Sequence, residues 1–376
     1  MKDKDGFTIR CKHSDWQIVD ERDNKEFVCL KFPTFNFSAR RCYADETCKY
    51  YEPDLRISVL MPCYNAGEYL YRSIGSIQKS TVQDFEIICL DDGSTDNTLE
   101  ILHELMEKDN RIRVYSREEK GYAVTMNELL DKAQGKYVIN IDPDDWIEPS
   151  MFRTMLGYMD KDTDFVKCGF WFELGDKRQK YQYTTEAAEF CPRKLNAKSK
   201  MEYFVSQVAL WTCLIRREFI ERHHIRLYET PGAAYQDTSF NFLINTLADK
   251  IRLIPDALYH YNKTNVNAST ASPRYPLAPV EQYRWILQWC MENAEYGIWV
   301  RSVLCRCRFG SYLWNMARIR KEDRLEFAKM AQEDFIEDND FIDVRMFSEE
   351  EYQAFIRARN NPVDFVKMIE NVEKGA

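Results

Sequence analysis

The sequence has no surplus of basic residues, no CxxC pair, no internal repeat and no low-complexity linker. Lys and Arg number 52 against 61 Asp and Glu, a net charge of −9, which argues against a nucleic-acid partner because such proteins carry a basic footprint. No uninterrupted apolar stretch approaches the ~18 residues of a membrane-spanning helix. The first residues, MKDKDGFTIRCKHSDW, lack the apolar segment of a secretory signal. The expected location is therefore cytoplasmic, with room for peripheral contact at the inner face of the membrane. Twelve cysteines without regular spacing read as reduced thiols. Cys11, Cys29, Cys42 and Cys48, with His13 nearby, fit none of the compact zinc patterns and are read as half-buried strand thiols.

What is present is ample apolar material: 376 residues with 45% hydrophobic content, enough for roughly two or three domains. Residues 1–54 read as a small β-rich appendage, with FTIRC, WQIVD and EFVCLKF as strands and DERDNKE as a polar turn. Residues 55–270 alternate strand and helix. RISVLMPCY, FEIICLDD, RIRVYSR and YVINID are the strands, and the unbroken apolar run of the second suits a parallel strand covered on both faces. The helices between them are GEYLYRSIGSIQKS, with Leu70, Ile74 and Ile77 on one face, TDNTLEILHELMEK, with Leu99, Leu102 and Met106, and GYAVTMNELLDKAQGK, closed by Gly135. This order predicts an α/β, Rossmann-like, doubly wound and mainly parallel sheet. Residues 271–376 read as a C-terminal helical region whose charge is uneven. Trp299 to Lys321 holds six Arg or Lys and no acid, and an acidic stretch follows. Val300, Val303, Leu304, Cys307, Ser311 and Trp314 share a helical face flanked by arginines. That face suits packing on protein, with anionic lipid as the second reading.

Ligands of such sheets bind beyond the carboxyl ends of the strands. Polar clusters fall at three of those ends: Tyr64 and Asn65, Asp91 and Asp92, and Asp142 to Asp145. YVINIDPDDW drives an apolar strand into three carboxylates, an arrangement that a bound cation stabilises. Asp142-Pro143-Asp144 can hold a hard divalent ion whose shell a diphosphate completes. The plainer alternative is a solvated acidic turn with Asp145 capping a short helix at Trp146. LDDGSTDNT, residues 90–98, is by itself either a turn and helix cap or a carboxylate pair that accepts hydrogen bonds from a base or ribose.

Taken in order, ISVLMPCYNAGEYLYRSIGSIQKSTVQDFEIICLDDGSTDNT and GYAVTMNELLDKAQGKYVINIDPDDWIEP resemble the family 2 glycosyltransferases, inverting enzymes of the GT-A fold found in bacterial polysaccharide and glycan assembly. The resemblance continues more weakly through LWTCLIRREFIERHHIRLYE and YQDTSFNFL to LYHYN. It implies transfer of a sugar from a nucleotide-diphosphate donor, by expectation UDP-hexose or UDP-N-acetylhexosamine, to a hydroxyl of a glycan, lipid-linked or glycoprotein acceptor. Pro62, Tyr64, Asn65, Asp91 and Asp92 then border the nucleotide, with Asp92 the expected direct contact. Asp142 lies near the ribose, and Asp144 with Asp142 holds Mn²⁺ or Mg²⁺. The family's Glu-Asp motif becomes Gln236-Asp237, which makes Asp237 the expected catalytic base. Without that context Asp237 reads as a helix cap.

Three departures stand out. Ala-Arg-Asn becomes Thr125-Met126-Asn127, leaving Lys120 as the substitute cation for the donor. Trp-x-Lys becomes Trp211-Thr212-Cys213, so Trp211 lines the acceptor site without its lysine. Gln236 replaces an acid. His260, late in the domain, is a weak candidate metal ligand, and His223 and His224 read as solvated. The rival functions are a nucleotide-sugar-binding scaffold without turnover and a sugar nucleotidyltransferase. The latter wants a Gly-rich first loop, which MPCYNAGEYL lacks. Homo-oligomer or membrane contact is expected through the C-terminal helices.

Overall fold

The computed structural model describes residues 14–18, 25–29, 55–206, 209–230, 234–266 and 276–375. At the amino terminus β1 (Ser14–Ile18) and β2 (Lys25–Cys29) pair antiparallel, Ser14 opposite Cys29, on either side of the stretch read as a polar turn. FTIRC, Cys11, His13, Cys42 and Cys48 lie outside the described residues.

The next segment alternates strand and helix: β3 (Ile57–Cys63), α1 (Leu70–Gln78), β4 (Phe85–Asp92), α2 (Thr98–Lys108), β5 (Ile112–Arg117), α3 (Tyr122–Lys132) and β6 (Tyr137–Asn140). β5, β4, β3 and β6 lie side by side and parallel, so all four carboxyl ends share one rim. β3 and β4 are buried along their whole length, as apolar runs covered by helices on both faces should be. α1 buries Leu70, Ile74 and Ile77 as its spacing predicts. α2 is rotated from the expected phase: it buries Ile101, Leu102 and Leu105, and Met106 is exposed. Gly135 does not close α3, which ends at Lys132. Instead it lets the chain pass the β3 backbone, where a Cβ would sit 2.5 Å from Ser58 N.

Beyond β6 come β7 (Trp146–Ile147), α4 (Met151–Gly157), β8 (Phe165–Glu173), β9 (Arg178–Tyr181), β10 (Ala188–Phe190), α5 (Ala197–Ser206), β11 (Cys213–Arg216), α6 (Arg217–Arg222), α7 (Asp237–Leu247) and β12 (Ile251–Asn262). The sheet order is β10-β12-β8-β11-β6-β3-β4-β5, with β7 against β12 and β9 against β8. The expected parallel sheet is therefore one half of a mixed sheet. β11 enters antiparallel between β6 and β8, and β8 and β12 run parallel to each other.

The C-terminal helices are α8 (Ala278–Glu292), α9 (Ile298–Arg318), α10 (Arg324–Glu337), α11 (Glu349–Asn360) and α12 (Pro362–Gly375). Their apolar residues join the core on the α3 side of the sheet, so α9 packs on protein through Val300, Val303 and Leu304. The flanking arginines are not a solvated face. Arg308 is buried between Asp334 and Asp338, at 3.7 and 3.5 Å, and Arg306 is buried against Met346 O and Glu351. The basic helix and the acidic stretch after it thus neutralise each other. Among the described residues no helix is long and apolar enough to cross a membrane.

Candidate active site

The rim is built from loops that lock together. Pro62 sits near the end of β3, past the point where pairing with β6 stops at Leu60 opposite Asn140. A residue without an N–H is tolerated there. Asn65, at φ 48°, accepts from Thr95 N at 2.8 Å and donates its own N–H to Ser94 Oγ at 2.9 Å. Thr98 Oγ1 and Asp96 accept from Ala66 N and Gly67 N. The β3 and β4 loops are thereby one rigid piece, with Tyr64 exposed beside Glu119.

Asp91 and Asp92 are both buried, with different duties. Asp92 accepts from Lys120 N at 2.9 Å, from Gly121 N at 2.8 Å and from Arg117. Gly121, at φ 97°, is the residue that turns the chain into α3. Asp91 Oδ1 is buried with no hydrogen-bond partner among the described residues. Asp92 thus clamps the loop that leads into α3, while Asp91 Oδ2 accepts from Ser94 N at 3.4 Å and leaves Oδ1 as an unused acceptor among the described residues. The side chain of Lys120 lies exposed at the rim. The cation that reaches α3 near Met126 is Arg117, which donates to Thr125 Oγ1 at 2.9 Å.

The three carboxylates of DPDDW divide similarly. Asp145 is fully buried: Oδ2 accepts from Tyr259 OH at 2.6 Å and Oδ1 from Asn262 N at 2.7 Å. Trp146 begins β7, not a helix, so Asp145 is an anchor between this loop and β12. Asp142 receives a bond from Asn140 Nδ2 at 3.0 Å, and its N–H donates to Tyr259 OH at 3.2 Å. Asp144 Oδ2 accepts from Asn265 at 2.7 Å and its carbonyl from Arg72 at 2.9 Å. Arg72 lies 3.9 Å above the Trp146 ring, whose other stacking partner is His260 at 5.2 Å. The His260 ring nitrogens lie 2.7 and 3.1 Å from Glu173 and Glu148, so His260 braces this loop and has no nitrogen free for a metal.

Burial, then the charge of Asp144 and, more weakly, of Asp237, push the Asp142 carboxyl up to about 7, with the Asn140 bond opposing. A cation would reverse that penalty. Among the described residues the side-chain donors facing this loop are oxygens, and Asn140 Oδ1 is buried with no hydrogen-bond partner. Among the described residues no set of three His, Cys, Asp or Glu could cage a metal. Two carboxylates therefore fit a hard divalent ion that takes its other ligands from phosphate and water, as Mg²⁺ does.

Asp237 opens α7, and the N-cap position before it is Gln236, whose side chain makes no capping bond. Gln236 is buried, accepts from Ala123 N at 2.6 Å, and donates to Thr230 O and Oγ1. Its amide thus ties the start of α7 to the start of α3. The result brings Asp237 close enough to Tyr122 and Asp142 for its charge to raise both. Burial lifts Asp237 to about 6, its own backbone N–H and Lys167 pulling the other way. Trp211 is half-buried, stacked on Tyr259 at 4.4 Å and Tyr261 at 5.0 Å, one wall of an aromatic cluster that also holds Phe170. His223 packs edge-on against Phe219, and His224 is exposed.

A sequence model of Glycosyl transferase family 2 matches residues 58–223. Glycosyltransferase GlyG of Streptococcus pneumoniae is 32% identical over 217 residues, 55% of this chain and 70% of that protein. The chain belongs to glycosyltransferase family 2. Chondroitin synthase of Pasteurella multocida is 36% identical over 193 residues, 51% of this chain and 18% of that protein. S. aureus TarS, solved in complex with UDP-GlcNAc, superposes with a TM-score of 0.68 over 85% of this chain and 92% of that one, at 18% identity. That likeness bears out the GT-A fold. As a family 2 glycosyltransferase the protein is an inverting enzyme acting on a nucleoside-diphosphate sugar and a glycan acceptor, and divalent-metal assistance is the family-level expectation. Family membership also sets aside the nucleotidyltransferase and scaffold readings.

Residues missed by sequence reading are Arg117, Tyr122, Tyr259 and Lys167. Arg117 and Tyr259 sit in ordinary strand patterns, and their roles depend on partners far away in the chain.

Proposed function

We propose that this family 2 enzyme uses a UDP-sugar, with the nucleotide along Pro62, Tyr64, Asn65 and Asp91, and that Asp237 is its general base. The observation that carries the reading is that two carboxylates far apart in the chain come near each other: Asp237, at the start of α7, lies close enough to Asp142, just past the end of β6, for its charge to raise the Asp142 carboxyl. The UDP-GlcNAc bound by TarS, on the same fold, supports the choice of UDP.

Asp237 accepts the proton of the acceptor hydroxyl as its oxygen attacks the anomeric carbon from the face opposite the diphosphate, which inverts the configuration. A carboxylate lifted to about 6 is ionised at neutral pH yet basic enough to take that proton. Asp142 and Asp144 would hold the divalent ion, which when bound supplies positive charge against the departing diphosphate. Arg72 and Asn265 hold Asp144 in place, and Tyr259 holds Asp142 through its N–H. Trp211 offers a ring edge to the acceptor sugar. An acceptor carried on a lipid would bring the enzyme to the inner membrane face, where the exposed Trp314 of α9 could meet the surface, as it could a second copy of the chain. Liposome sedimentation and light scattering distinguish these.

The test is nucleoside-diphosphate release from a panel of nucleotide sugars with Mn²⁺, Mg²⁺ or EDTA and a cell-extract acceptor. Metal-dependent UDP release from one sugar is expected. Release from a GDP- or dTDP-sugar alone would overturn the donor assignment.

A further inference from the structure

The turn that leads into α7 holds a tyrosine in a backbone conformation that tyrosine rarely adopts. Tyr235 sits at φ 62°, in the left-handed region that disfavours a bulky side chain. Such an outlier persists only where its surroundings hold it, and it points to a use for the turn. Asp237 follows two residues later. The Tyr235 carbonyl accepts from Thr238 N at 3.0 Å, so Tyr235 also closes the turn that contains Asp237. The side chain of Tyr235 reaches α9, whereas the next one, Gln236, reaches α3.

The partner on α9 is Asn315, in the last turn of that helix and 0% exposed. A buried asparagine in a helix needs hydrogen-bond partners outside it. Both of its polar atoms have one. Oδ1 accepts from Tyr235 OH at 2.7 Å, and Nδ2 donates to Pro276 O at 2.9 Å. Trp314 meets the Tyr235 ring edge-on at 5.7 Å, and Arg318 lies 3.8 Å above Trp314 and donates to Tyr235 OH at 3.5 Å. Three residues at the end of α9 thus grip one side chain. Trp314 is half exposed, so burial of apolar surface alone does not account for the contact.

We infer that Tyr235 and Asn315 are positioning residues: the bond between them fixes the turn from which Asp237 enters the cleft, so that α9 sets the place of the base. The inference rests on Asp237 being the base. It makes the C-terminal helical region part of the active site, since both residues lie beyond 223, where the family 2 match ends.

The experiment compares Tyr235→Phe, Asn315→Ala, their double variant, Asp237→Asn and Tyr235→Phe/Asp237→Asn with wild type. It reads thermal midpoint, UDP affinity with Mn²⁺, donor KM and kcat, with enzyme in excess of donor for the slow variants. Tyr235→Phe keeps the ring against Trp314 and loses only the hydroxyl. It should bind UDP and donor within about twofold of wild type and lose about tenfold in kcat. Asn315→Ala should lose a similar amount, and the double variant should be no slower than the slower single one, because the pair acts as a unit. In the Asp237→Asn background, Tyr235→Phe should change the remaining rate by less than about twofold, since no carboxylate is left to misplace. A merely structural bond would lower the midpoint and leave the kcat of the folded protein intact, and that result overturns the inference. So does a tenfold loss that persists in the Asp237→Asn background, and so do losses that multiply in the Tyr235→Phe/Asn315→Ala variant. Wild-type turnover by Asp237→Asn would remove the base and the inference together. A slow Asp237→Asn beside a fully active Tyr235→Phe would remove the inference alone.

Discussion

Replacing Asp145 with alanine should damage the fold, whereas the same change at the neighbouring Asp144 should damage the chemistry. Asp145 accepts from Tyr259 OH and Asn262 N, both in a region with no access to water. Its loss orphans two buried donors at about 1–3 kcal/mol each. Removing a carboxyl that burial and the charges of Asp144 and Asp142 hold well above its usual range offsets part of this. A net loss of about 2–4 kcal/mol is expected, roughly 4–16 °C in thermal midpoint by the scaling for domains somewhat smaller than this chain. Tyr259→Phe removes one of the two donors and should cost about 1–2 kcal/mol. Asp144 is partly exposed and loses a single side-chain bond from Asn265, about 1 kcal/mol or less, while activity should fall about 10²-fold or more. Urea unfolding and nucleoside-diphosphate release on the same preparations read both effects. An Asp145→Ala protein as stable as wild type would refute the anchor role and return Asp145 to the cleft with its neighbours.

Asp237 lifted to about 6 predicts that kcat/KM falls tenfold per pH unit below about 6, because only the ionised carboxylate accepts the proton. The same raised value favours the folded state at low pH and loses that contribution as pH rises through about 6, so Asp237→Asn should be slightly more stable than wild type at pH 8. Asp142, raised to about 7, must lose its proton to bind a cation. Mn²⁺ affinity in the presence of UDP should therefore strengthen from pH 6 to 8, read by calorimetry. Gln236→Glu, which restores the acid the resemblance leads one to expect, removes the donor to Thr230 and places a second carboxyl beside Asp237. It should destabilise the protein by about 2–4 kcal/mol, and an unchanged unfolding midpoint would count against the amide clamp.

The alternation of strand and helix was legible because each parallel strand is covered on both faces and reads as an apolar run, as FEIICLDD does. The phase of α2 was not. Leu99, Ile101, Leu102, Leu105 and Met106 together span most of the helix, so only packing on the sheet selects Ile101 and Leu105 over Met106. The convergence of Asp91, Asp142 and Asp144 on one rim followed from parallel strand ends alone. Assigning roles within each cluster did not, since the partners that occupy Asp92 and Asp145 come from 25 to 29 and from 114 to 117 residues further along. Arg308 was read as part of a helix flank because its acids arrive from α10 and the turn after it. Lys167 lies in FVKCGF, and its complete burial shows only once β11 and β12 flank β8.

The most direct measurement separates binding from turnover in two variants assayed together. With Mn²⁺ present, Asp237→Asn should bind UDP as wild type does and lose about 10²- to 10⁴-fold in kcat, while Asp144→Ala should lose the metal-dependent part of UDP binding itself. An Asp237→Asn enzyme turning over at the wild-type rate would contradict the placement of the base at the start of α7.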